Sequence, residues 1–248
     1  MLQAAAGVKC VRRRPSITAV CTALACLGLW LLAASCTRPA LQPTPAAKVP
    51  AVEDNNAQRA YAAVEAGDYL AGIRLYEQVL RAEPGNSRAL YMLGYAYGQL
   101  GEIESEVAYY REAVRAGFRN EEVFHNLGKA CIAINRPEEA IAAFKAGLAL
   151  NPQNADNHFG LGLAYQKISE DGAALSEFET AVRISPDVPE FREYLGLYYE
   201  ETGRPDKAAE QFKTILEHDP HYEGAREHLE YLIRQKTPSK ERTGAGGQ

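Results

Sequence analysis

Apolar residues recur along most of this chain at intervals of three and four, are broken about every dozen residues by glycine, proline or asparagine, and return in the same order after 34 residues. Spacing of three and four places side chains on one face of a helix, so each stretch between breakers predicts an amphipathic helix with one buried side. The repeat runs from residue 53 to 222 without insertion, in units 53–86, 87–120, 121–154, 155–188 and 189–222. Pro84, Pro152, Pro186 and Pro220 share one column, with Phe118 as the exception, and close each unit. A second breaker column, Gly67, Gly101, Asn135, Ser169 and Gly203, divides each unit into two short helices joined by a tight turn.

Other columns carry the packing. Ala60, Gly94, Gly128, Gly162 and Gly196 keep one position of the first helix small, and Gly72, Ala140, Ala174 and Ala208 do the same on the second. We expect the two small columns to face each other, with Glu106 disturbing the contact in the second unit. Leu93, Leu127, Leu161 and Leu195, with Tyr97, Cys131, Tyr165 and Tyr199 four residues on, form an apolar stripe. Tyr76, Tyr110, Phe144, Phe178 and Phe212 supply a ring to each joint between units.

These columns together resemble the tetratricopeptide repeat. The resemblance implies an all-α fold, a right-handed superhelical solenoid of helix-turn-helix repeats that holds a protein or peptide in its concave groove. Repeat one is the least faithful, with Arg59 where leucine is expected, as befits an end unit. Residues 223–236 keep Leu229 and Ile233 in phase and are otherwise polar, the pattern of a capping helix, and residues 237–248 read as a disordered tail. In the family's register the first helices turn Tyr61, Arg88, Tyr91, Tyr95, Gln99, His125, Lys129, Phe159, Lys167, Glu193 and Glu200 toward the concave face. Its middle is aromatic with cations beside it, which suits a polypeptide partner. The lysines and asparagines with which chaperone-tail receptors of this family clamp a carboxylate are echoed by Asn126 and Lys129, but repeat one has Ala57 and Tyr61 instead, so no such clamp is expected.

Charge changes the picture at the amino terminus. Lys9, Arg12, Arg13 and Arg14 are the charged residues of positions 1–35, so of 27 Lys and Arg against 32 Asp and Glu, all the acids and all but those four cations lie beyond, a balance of −9. Such a body repels phosphate backbones and disfavours nucleic acid. Residues 17–35 are uncharged, the layout of an export signal, and these 19 residues would also span roughly 29 Å as an uncleaved helical anchor. The sequence LAASC at 32–36 resembles the lipobox of bacterial lipoproteins and makes Cys36 the lipidated residue. By the same resemblance Thr37 in place of aspartate implies sorting to the outer membrane, facing the periplasm. Positions 36–52, with Pro39, Pro43, Pro45 and Pro50, read as an extended tether that reaches up to about 50 Å.

Candidate chemistry adds little. The sequence has no phosphate-binding loop, zinc-binding helix, paired CxxC or nucleophile elbow, which disfavours an enzyme, and it calls for no cofactor. His218, His221 and His228 match no common zinc spacing and read as solvated side chains near a turn, leaving no expected metal site. Cys131 stands in a tyrosine column and reads as a small buried hydrophobe.

Overall fold

The computed structural model describes residues 52–236. Residues 17–35, Cys36, the tether to position 51 and the tail 237–248 lie outside the described residues. The fold is an all-α solenoid. Each unit contributes two antiparallel helices: α1 Val52–Glu65 and α2 Tyr69–Ala82; α3 Ser87–Gln99 and α4 Ile103–Arg115; α5 Glu121–Ala133 and α6 Pro137–Leu150; α7 Ala155–Lys167 and α8 Asp171–Ile184; α9 Pro189–Glu201 and α10 Pro205–His218. A further helix, α11 Glu223–Lys236, packs on α10. Every helix contacts the next in sequence, and α1 with α3 and α5 with α7 also touch, so first helices form an inner layer and second helices an outer one.

The breaker column works through backbone conformation. Gly67, Gly101 and Gly203 have φ of +79°, +78° and +72°, and Asn135 and Ser169 follow at +56° and +61°. In each case the left-handed residue bonds back three positions and its successor bonds back five, as Gly67 N–H does to the Val64 carbonyl and Asp68 N–H to that of Ala63. This closure satisfies the orphan carbonyls of the first helix and turns the chain antiparallel. At the other end Asp68, Asn86, Asn120 and Asn154 cap the helices that follow them with side-chain oxygens.

The proline exception has its own solution. Gly117, at φ +96°, ends α4 with the same paired hydrogen bonds to Val114 and Ala113, and Phe118 folds back until its ring stacks on Tyr91 at 4.7 Å.

The small column of the first helices does not face the second small column alone, as Ala60 does Gly72 in repeat one, but also faces rings. A methyl added at Gly94, Gly128, Gly162 or Gly196 would lie 2.6, 2.7, 2.5 or 2.8 Å from the ring of Tyr110, Phe144, Phe178 or Phe212. Those rings are 0 to 1% exposed, and each such burial contributes about 1.5–3 kcal/mol. Nor does Glu106 disturb its unit. Its carboxylate lies over Gly98, where a methyl would meet it at 2.7 Å, whereas in repeat one the large and small partners are exchanged and Val64 lies over Gly72.

Two outcomes follow for stability. Gly162→Leu drives a branched side chain into the Phe178 ring and lowers stability by about 1–3 kcal/mol, read as a lower melting temperature by circular dichroism. Ser169→Gly relieves a left-handed serine, raises stability by about 0.5–1 kcal/mol and shifts the melt upward by roughly 1–3 °C; a downward shift would refute the strain.

Candidate partner-binding groove

On α3, Arg88, Tyr91, Tyr95 and Gln99 are three or four residues apart and therefore share one face. Tyr61 on α1 and Phe118 beyond α4 are brought to the same place by the inner-layer contact and by the Gly117 turn. The result is a cleft of about 490 Å³ whose walls include Tyr61, Arg88, Tyr91, Tyr95, Phe118 and Glu122. Four residues of the sequence-derived groove thus meet in a single cavity. A second hollow of about 320 Å³ adjoins it and shares Tyr61 and Arg88.

Within the cleft the rings differ in availability. Tyr61 is 44% exposed. Tyr95 is half-buried, and Tyr91 is only 6% exposed, its ring held between Phe118 and Tyr110, the latter at 5.6 Å. Asn126 Nδ2 donates to the Tyr91 hydroxyl at 3.5 Å. Burial, then the neighbouring Glu122 carboxylate, push that hydroxyl far above the ordinary tyrosine range, so it stays a neutral donor. Deeper along the wall, burial raises the Glu106 carboxyl and the Lys129 ammonium pulls it back, which puts Lys129 within electrostatic reach across α4 and α5.

The remaining positions are distributed along the inner layer. His125 packs edge-on to Phe144 and shares a 2.9 Å hydrogen bond between its Nδ1 and Asn157 Oδ1. Asn157 is the fully buried polar side chain of the described residues, and Gly147 leaves the room it occupies. Phe159 sits half-buried among Phe178, Phe191 and Tyr194 at 5.0 to 5.6 Å, part of the joint between repeats. Lys167 and Gln99 are exposed at the ends of their helices. Glu193 accepts from the Tyr222 hydroxyl at 2.9 Å, and Glu200 from His228 Nδ1 at 2.9 Å, while the His228 ring stacks on Phe212. His218 and His221 are exposed.

Sequence reasoning missed Phe118, Met92, Glu65 and Glu122 as cleft residues. The signal for Phe118 was present, since a ring replaces proline at a unit's end and a glycine precedes it. Cys131 is fully buried, and burial raises its thiol above the usual range, consistent with packing.

A solenoid of paired helices with an inner wall of this kind defines a helical repeat protein. Models described as Tetratricopeptide repeat match residues 58–118 and 172–223, and one described as TPR repeat matches 128–169. The chain belongs to the tetratricopeptide-repeat family. A crystal structure of MamA is 30% identical with a TM-score of 0.60, over 68% of this chain and 94% of that one. Another MamA structure is 27% identical with a TM-score of 0.63, over 75% and 96%. YrrB, described as a TPR protein with an unusual peptide-binding site, shares the fold with a TM-score of 0.63 at 19% identity, over 73% of this chain and 91% of that one. No curated protein matches the sequence.

Proposed function

We propose that this protein is a non-enzymatic scaffold that recruits a client polypeptide into the concave groove, with the cleft between α1, α3 and the start of α5 as its principal grip. One observation carries the reading: Tyr61, Arg88, Tyr91 and Tyr95, separated by up to 34 residues of sequence, line a single open cleft with Phe118. Exposed aromatic surface beside a cation is the usual make-up of a binding hot spot, because rings bury large area at small entropic cost. Lys129 and Lys167 lie further along the inner layer, where they meet acidic groups of the client.

The amino-terminal features support a reading of this scaffold at a bacterial cell envelope. In our reading the chain is a lipoprotein tethered through Cys36 at the outer membrane, with the repeats in the periplasm. Residues 17–35 are also long enough to span a bilayer, which supports a second reading, a signal-anchored inner-membrane protein within a larger complex.

The groove is tested by crosslinking capture from envelopes. Tyr61→Ala with Tyr95→Ala weakens client capture by about 2 kcal/mol or more while the helical circular dichroism is retained. Unchanged capture moves the site off the concave face. The tether is tested by labelling cells with a fatty-acid analogue: Cys36→Ser abolishes the label in a lipoprotein, whereas a label that survives sinks the lipoprotein reading.

A further inference from the structure

In units two to four the fifth position carries an inner-layer ring under a rule that repeat one breaks; repeat five, with Glu193 there, has the His228 ring of α11 over Phe212 instead. Tyr91 lies 5.6 Å from Tyr110, His125 lies 6.1 Å from Phe144, and Phe159 lies 5.6 Å from Phe178. Each pair is 19 residues apart, so in three successive units a ring of the first helix covers the buried ring of the second. The same pair in repeat one is Ala57 and Tyr76. Tyr76 is in place and 4% exposed, but the ring that should cover it is missing. At that point lies the hollow of about 320 Å³, with Tyr76, Val79 and Ala89 as its buried floor, Ala57 at its side, and Tyr61 and Arg88 at its rim.

We infer that this hollow receives one aromatic side chain of the client, with an acidic residue next to it. The inference rests on the groove reading and names what its first contact recognises. The molecule itself supplies the template, since Tyr91 and Phe159 show which side chain fills this joint in neighbouring units. Size agrees: an apolar cavity of about 150 Å³ already accommodates benzene, and this one is larger and open to the main cleft. Charge selects the neighbour. Arg88 borders both cavities and forms no ion pair among the described residues. It is close enough to Tyr76 to pull its hydroxyl down, while burial pushes that hydroxyl up to about 12. A client carboxylate beside the inserted ring completes Arg88's pairing.

The test uses the full chain and a capped Asp-(4-fluorophenylalanine)-Gly peptide, followed by fluorine NMR. Wild type binds it saturably with a Kd on the order of 1 mM, as suits a single anchored side chain. Arg88→Ala weakens binding about twofold to fivefold, in line with one exposed charge pair. Ala57→Phe places the protein's own ring in the hollow, raises the melting temperature and abolishes the fluorine shift. Ala57→Met, which fills less, reduces binding and covers the case in which phenylalanine overpacks the joint. Absence of binding to wild type at 5 mM, or binding that both Ala57 variants leave intact, overturns the inference. Client capture separates the two readings. If Tyr61→Ala with Tyr95→Ala loses the client and Ala57→Phe keeps it, the groove stands and the hollow is not its receptor; if neither set changes capture, the groove reading itself falls.

Discussion

A missing side chain holds this solenoid together. In four units, where the first helix crosses the second, glycine removes the atoms that would collide with a ring, and the ring occupies the space so made. Glycine in the middle of a helix costs about 0.5–1 kcal/mol relative to alanine, yet four units accept it because the ring it admits buries far more apolar surface than the glycine loses in stiffness. Close approach of the two backbones follows, and with it the short turn, the parallel stacking of units and the inner layer on which the groove is built. Phe144 shows the reach of this contact. It meets Gly128 of its own unit and Gly160 of the next, so one ring fixes the spacing within a repeat and between repeats.

Where a unit departs from the pattern, its neighbour across the interface departs in the opposite sense. Glu106 replaces a small residue, and Gly98 opposite it is small. Asn157 stands where neighbouring units have Val123 or Phe191, and Gly147 faces it. Volume across the joint is conserved while polarity is not, because interiors packed to crystal-like density tolerate a change of chemistry more readily than a change of size. Both polar intrusions lie near the inner layer, with Lys129 within electrostatic reach of Glu106 and His125 bonded to Asn157. They distinguish the middle of the groove from its ends.

The fold was almost wholly legible in the sequence, since the period, the turn column and the ring column are each visible as a string of letters. All five turn positions adopt the left-handed conformation, including Asn135 and Ser169, which lack the glycine that usually marks it. The identity of what faces what was not legible. A column of small residues and a column of rings lie on the same second helix, and spacing alone does not reveal that the rings meet the glycines. The site was legible in part. Tyr61, Arg88, Tyr91 and Tyr95 converge, whereas Phe159 is engaged by three rings whose arrangement no spacing rule reveals. A stitching column was missed altogether: His158, Arg192 and Arg226 each donate to the proline carbonyl six residues earlier.

That column also distinguishes the two ends of the array. From the fourth unit onward the loops are tied by these donors, the fifth-position residue is either a covering ring or, in Glu193, bonded to Tyr222, and the last hydrophobic joint is closed by α11. The second and third units lack the tie, since Leu90 and Phe124 stand in its column. Repeat one adds a partly empty joint, since Ala57 leaves a hollow beside the Tyr76 ring. A repeat array distributes stability as a sum over units and their interfaces, so the end with fewer ties and an unfilled joint is the end whose surface has most to gain from a partner. The exposed ring of Tyr61 and the charge of Arg88, which forms no ion pair among the described residues, lie at that end. Departure from the consensus in repeat one is therefore more than the wear of a terminal unit: it leaves open the contact that units two to four close for themselves.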